Sequence, residues 1–164
     1  MLQLSRKKPT GNVSIIYSIT LLLVASISTT VHASPPALDQ ARWHNRLLLI
    51  FSPNMENSNL KAIIRQINTL ECETEDRDIV VGLLIKSGKS QLGDNQLNSD
   101  SALEIRQFFS IADGEFSAIL VGKDGHEKIR LKGTPNLNEI FSTIDQMPMR
   151  MQEMTHAQAS CASN

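Results

Sequence analysis

Five apolar residues in a row, Leu47-Leu-Leu-Ile-Phe51, stand between Arg46 and the turn-forming Ser52-Pro-Asn54. A continuous apolar run of that length fits a strand covered on both faces, as parallel strands between helices are. Beyond the turn, Leu60, Ile63, Ile64 and Ile67 recur at i, i+3, i+4 and i+7, with Leu70 beside them. That stripe predicts an amphipathic helix from Ser58 to Glu71, capped by Asn57 or Ser58. Residues 71–76 form an acidic link, and Arg77-Asp78 leads into a second apolar run, Ile79-Val-Val-Gly-Leu-Leu-Ile85. Strand, helix and strand within about forty residues make a right-handed βαβ unit.

The pattern changes after Ile85. Ser87 to Asp100 is Gly, Ser, Asn, Asp and Gln without periodicity, which predicts a surface loop. Ser101-Ala-Leu-Glu104 has capping-box spacing, and Ile105, Phe108 and Phe109 supply the apolar face of a short helix. Phe116 to Val121 reads as a strand, Lys123-Asp-Gly125 as a hairpin turn, and Lys128-Ile-Arg-Leu-Lys132 as an alternating edge strand with its lysines in solvent. Asn136 opens a last helix with Leu137, Ile140, Phe141 and Ile144 inward, ended by Pro148. Few folds use the order β-α-β, α, β-β-α, and the commonest of them is the thioredoxin fold, an α/β architecture with a central mixed sheet flanked by helices. In its minimal form the second strand is an edge, yet Ile79–Ile85 is too apolar for one. The segment from Ala37 to Arg46 is the expected cover, with Trp43, the only tryptophan, as a packing anchor.

The first thirty-three residues stand apart. Arg6-Lys7-Lys8, an apolar run from Ile15 to Ile27, and Val31-His-Ala33 form a secretory leader cut after Ala33. The run is shorter than the ~20 residues of a membrane span, so no stable anchor is expected after cleavage. The expected divisions are a leader over 1–33, a lead-in over 34–45, a domain over 46–154 and a flexible tail over 155–164. Cleavage removes three bases and no acid, leaving 13 Lys and Arg against 17 Asp and Glu, net −4, which argues against a nucleic-acid surface. Cys72 and Cys161 both remain, for a compartment in which disulfides persist. They either bridge across a long loop, or stand as a thiol closing the first helix and an unrelated one in the tail.

Trp43 and Arg46 before the first strand, Asp76-Arg77-Asp78, Lys123-Asp124-Gly125, and above all Ile144-Asp-Gln-Met-Pro-Met-Arg-Met-Gln-Glu-Met154 carry a family resemblance. Together they resemble the secreted domain-of-unknown-function family 4174, related to domains of sushi-repeat and coiled-coil extracellular matrix proteins and likened to peroxiredoxins. The resemblance spans Trp43 to Met154. It implies a thioredoxin-like domain outside the cytoplasm and no known reaction. It also marks Trp43, Arg46, Arg77, Asp78, Lys123, Asp124, Gly125, Asp145, Pro148, Arg150 and Glu153 as structural motif positions.

The residues argue against thiol catalysis. A thioredoxin needs Cys-x-x-Cys at the start of the first helix, where Met55-Glu-Asn-Ser58 stands instead. A peroxiredoxin needs Pro-x-x-x-Thr-x-x-Cys, and from Pro53 those positions hold Asn57 and Leu60. Gly114-Glu-Phe-Ser117 also lacks the proline expected before the third main strand. Cys72 lies among Glu71, Glu73, Glu75 and Asp76, an environment that disfavours a thiolate. Met147, Met149, Met151, Met154 and His156 offer a Cu(I) alternative, against which stands plain packing of an extended tail. Arg150 can pair with Glu153 or, with Arg77 and Asp145, form either a clamp or an anion site. Serine-nucleophile, paired-histidine and glycine-rich nucleotide motifs are missing. The expectation is a non-catalytic binding module, secreted or periplasmic, without a cofactor, for an unidentified protein or other extracellular ligand. Redox work by Cys72 and Cu(I) binding are the alternatives.

Overall fold

The apolar runs meet in a six-stranded mixed sheet, order β4-β3-β2-β1-β5-β6, in a computed structural model that describes residues 33–133, 136–156 and 161. The strands are β1 (Arg46–Ser52), β2 (Ile79–Ile85), β3 (Ser90–Leu92), β4 (Asn95–Leu97), β5 (Ser117–Val121) and β6 (Glu127–Lys132). The helices are α1 (Pro36–Asp39), α2 (Ser58–Thr69), α3 (Glu71–Asp76), α4 (Ser99–Phe108), α5 (Leu137–Asp145) and α6 (Pro148–His156). Strands β1 and β2 run parallel, while β5 is antiparallel to β1 and β6 to β5. With α2 between the parallel pair and α5 after β6, this is the thioredoxin-like arrangement. Residues 1–32 of the expected leader and most of the expected tail lie outside the described residues.

Pleating divides the central strand between two cores. Leu48 and Ile50 face α2 and α5, packing on Leu60, Ile63, Leu137, Ile140 and Ile144. Leu47, Leu49 and Phe51 face the other side, against Leu38 of α1, Ile105 of α4 and Phe109, which caps α4. Every residue of β1 is buried, which is why its sequence shows no alternation.

Several local expectations change. The loop expected over Ser87–Asp100 contains the β3–β4 hairpin, turned at Gly93 with φ 55°. That hairpin completes the edge of β2, where Gly82 and Leu83 pair with Leu92 and Gln91, while Ala37 and Ala41 of the expected cover pack in the same apolar cluster as Val80. The three-residue strands are too short to show a period. The cap of helix α4 is Asn98, three residues before the expected Ser101, and its Oδ1 accepts the Ser101 N–H at 2.8 Å. The acidic link is the short helix α3. Pro148 closes nothing by itself but opens α6, where a missing N–H costs no intrahelical bond. That helix runs to His156, two residues past the expected end of the domain. Trp43 is 62% exposed and therefore not a core anchor. Its backbone is left-handed, φ 68°, and its N–H reaches Lys123 O at 2.6 Å, so the turn that joins α1 to β1 leaves the indole outside.

A side chain at Gly82 would crowd this packing. A Cβ there would lie 2.8 Å from Leu49 Cδ2 and 3.0 Å from Leu92 Cδ1, its two cross-strand neighbours. Gly82→Ala is expected to destabilise the domain by about 1–2 kcal/mol through overpacking, despite the usual gain from replacing a strand glycine. A urea midpoint equal to or above wild type would refute that reading.

Candidate functional site

The amino ends of β1 and β2 and the carboxyl end of β5 lie together, and charged residues converge on them. Arg46, the first residue of β1, is 1% exposed. Its Nη1 donates to Arg77 O at 3.0 Å and to Glu153 Oε2 at 3.0 Å, and its Nη2 donates to Glu153 Oε1 at 3.2 Å. Lys123 Nζ joins the same carboxylate at 2.8 Å and Asp78 Oδ2 at 2.7 Å. Burial alone pushes the Glu153 carboxyl up. The hydrogen bonds and charges of Arg46 and Lys123 together outweigh it, so its pKa lies below the ordinary glutamate value.

A second pair of arginines continues the network. Arg77 grips Asp145 with Nε at 3.0 Å and Nη2 at 2.7 Å, and its guanidinium lies 4.5 Å from the centre of the Phe141 ring. Arg150, also buried, donates Nη1 to Asp76 O at 2.6 Å and Nη2 to the Asp76 carboxylate, with Asp145 Oδ1 3.5 Å from its Nε. Arg150 and Glu153 themselves stand 3.8 Å apart, one helical turn on α6. The named cations Arg46, Arg77, Lys123 and Arg150 face the carboxylates Asp76, Asp78, Asp145 and Glu153, so the cluster neutralises itself. Arg77, Asp145 and Arg150 are therefore joined as a clamp holding α6 to α3 and α5, with no spare charge for an anion.

Local backbone geometry brings these groups together. Asp78, φ 50°, turns the chain into β2 while its carbonyl accepts the Arg46 N–H at 2.9 Å. Like Trp43, it is a non-glycine residue in the left-handed region, a conformation that costs about 1 kcal/mol or more and that its surroundings must impose. Both contact Lys123, by backbone or by side chain. Asp124 and Gly125 shape the hairpin after β5: Asp124 Oδ1 accepts the His126 N–H at 3.1 Å, and Gly125 has φ 82°.

The cysteines lie beside this network. Cys72 of α3 is joined to Cys161 in a disulfide, Cα atoms 5.8 Å apart, closing the chain across 89 positions. It crosslinks the helix that Arg150 already grips to the chain beyond α6. The methionines do not gather in the same way. Met147 packs on the core, whereas Met149, Met151 and Met154 are 41%, 48% and 42% exposed. At ~100° per residue, Met149 points roughly 160° around α6 from Met151. The side chain of His156 lies outside the described residues, and no group of three His, Cys, Asp or Glu suited to a metal occurs among them.

At the opposite end of the sheet, the loop from Ser52 to the α2 cap holds polar groups bonded to themselves. Ser52 Oγ donates to Asn54 O at 2.8 Å, Asn54 Oδ1 accepts the Glu56 N–H at 2.9 Å, and Asn57 caps α2 through the Asn59 and Leu60 N–H groups.

A family model described as a domain of unknown function, DUF4174, matches residues 37–153. The chain belongs to the DUF4174 family. The match runs from α1 to Glu153 and so takes in both halves of the ion network. Among curated relatives, human sushi repeat-containing protein SRPX2 is 27% identical over 132 residues, covering 79% of this chain and 28% of that protein. Coiled-coil domain-containing protein 80 of Danio rerio is 28% identical over 138 residues, covering 74% of this chain and 16% of that protein. The chain thus spans under a third of the length of these relatives. A reduced 2-Cys peroxiredoxin of Plasmodium vivax resembles the structure at TM-score 0.49 and 17% identity, over 73% of this chain and 85% of that one.

The sequence names most of the network through the family pattern, but not its wiring. Asp76 is missed as a partner of Arg150 because it sits in a run of acids that reads as a solvated link. Arg106, buried on α4, is missed altogether.

Proposed function

We propose that this DUF4174 domain is an exported, non-catalytic binding module in which the thioredoxin-like fold serves as a scaffold. One observation carries the reading: where the fold presents its thiol, at the start of α2, the chain presents Asn57-Ser58, and its two cysteines are bonded to each other at the far end of that helix. A cysteine nucleophile must be a thiolate within reach of the substrate, and a disulfide sulfur remote from the α2 N-terminus meets neither condition. Export is supported by the leader pattern over residues 1–33 and by a disulfide that an oxidising compartment would keep. No helix among the described residues is long and apolar enough to cross a membrane.

The test is thiol turnover. The mature domain is expected to give no insulin reduction and no peroxide consumption above the reductant-alone background. Turnover that disappears in Cys72→Ser would overturn the proposal and install Cys72 as the working residue.

A further inference from the structure

The carboxyl end of β2 carries a cleft that the ion network does not touch. It has a volume of about 400 Å³, within the range of small-molecule sites, and its wall includes Lys86, Lys89, Asn98, Ser99, Arg106 and Asp113. It adjoins the β1–α2 loop, since the Ser87 N–H bonds to Pro53 O at 3.0 Å. Ligands of open α/β sheets bind beyond the carboxyl ends of strands, and this cleft occupies such a position.

Its least satisfied group is Arg106, 7% exposed. Nη1 donates to Leu84 O at 3.3 Å, but Nη2, shielded from water, has no hydrogen-bond partner. Burying a guanidinium N–H without an acceptor is costly, and a small shift of the Arg106 head from beside the Phe51 ring toward the cleft it lines would let a ligand oxygen recover that cost. Burial lowers the Arg106 pKa and the charges of Asp113 and Glu115 oppose that effect, yet arginine stays a cation. Both acids are engaged elsewhere, Asp113 with Lys86 Nζ at 2.8 Å and Glu115 with Lys132 Nζ at 3.0 Å.

Two further features carry the same sign. Lys89 is exposed and has no ion-pair partner among the described residues. The ten-residue helix α4 begins on the cleft wall, where the Asn98 side chain takes the Ser101 N–H and leaves the first two amides of the helix, Ser99 and Asp100, open. The Asp100 carboxylate lies in that first turn but is not part of the wall. Three cations thus face one acid, Asp113, in the cleft, on a domain whose net charge after cleavage, −4, opposes long polyanions.

We propose that this cleft binds a small oxyanion ligand, bearing carboxylate, phosphate or sulfate oxygens, held by Arg106, the α4 N-terminus and Lys89. This rests on the binding-module reading and gives that module a ligand chemistry.

The experiment is an amide and arginine side-chain NMR titration of the mature, disulfide-bonded domain with citrate, phosphate and sulfate in turn, using chloride to match ionic strength. Saturable shifts are expected at Ser99, Asp100 and Arg106 Nε, and the anion with the lowest Kd identifies the oxygen chemistry preferred. Arg106→Gln should abolish them. Because that variant can fail to fold, Lys89→Glu is the decisive one: it should weaken binding about tenfold while leaving the spectrum folded. Arg65→Glu, an exposed reversal on α2, should leave Kd unchanged. No saturable shift with any of the three anions, or an equal loss from Arg65→Glu, overturns the proposal. Such a failure would leave the thiol assays unchanged, and thiol turnover would leave the titration unchanged, so the two claims fail separately.

Discussion

Glu153→Ala is expected to destabilise the domain by about 3 kcal/mol, because it leaves the guanidinium of Arg46 buried without its bidentate partner. Arg46 is 1% exposed and cannot turn to water without moving the start of β1. The loss falls on Lys123 as well, which shares Glu153 and would keep Asp78. In a domain of this size that cost lowers Tm by on the order of 10 °C. The same physics predicts that Arg46→Met with Glu153→Met recovers much of the loss, since removing both charges removes the burial penalty too. A Glu153→Ala midpoint within about 0.5 kcal/mol of wild type in urea would show the pair to be a surface contact in disguise.

Acid should act on the same bond. The folded-state pKa of Glu153 lies below its ordinary 4.5, so the unfolded chain takes up a proton first as pH falls. The stability this carboxylate contributes is therefore present above the ordinary value and is lost as pH drops through the depressed one. Wild type should lose stability more steeply than Glu153→Ala in that window, and the two curves should converge at its acid end. Parallel curves would mean that Glu153 does not carry the acid sensitivity.

How much of this was legible before the structure depends on the length scale of each signal. Leu47–Phe51 and the α2 stripe are long, strongly apolar and locally consistent, so strand, helix and parallel pairing could be read directly. The β3–β4 hairpin could not, because three-residue strands such as Ser90–Leu92 and Asn95–Leu97 have too few positions to show alternation. The edge puzzle of Ile79–Ile85 was the real clue: an apolar strand demanded a neighbour, and the strand that pairs with it comes from the polar Ser87–Asp100 stretch rather than from the Ala37–Arg46 segment. Trp43 misled for a different reason. Its residue type favours burial, but a left-handed turn decides where the side chain points, and φ is not written in composition. The network at the amino ends was visible as a family pattern and invisible as physics, since Arg46 and Glu153 are 107 positions apart. Arg106 hid because a long aliphatic stem lets arginine share a buried helix face with Ile105.

The disulfide and the ion network hold the same helix, and that sharing gives the last prediction. Across 89 positions, chain entropy alone allows the Cys72–Cys161 bond to contribute about 4–5 kcal/mol, of which engineered cases often return less. Cys72→Ser with Cys161→Ser should therefore cost about 2–4 kcal/mol while the domain remains folded, because neither core contains a cysteine. With the crosslink in place, undocking α6 gains little freedom. Without it, a state in which α6 swings away becomes accessible, Arg46 and Arg150 regain water there, and further damage to the native contacts costs no more than undocking does. Glu153→Ala should thus destabilise the serine variant by less than it destabilises the crosslinked domain, and hydrogen exchange in α6 should accelerate before exchange in β1. Strict additivity, with α6 and β1 exchanging together, would mean that the helix is part of one cooperative core and that the disulfide acts on the unfolded chain alone.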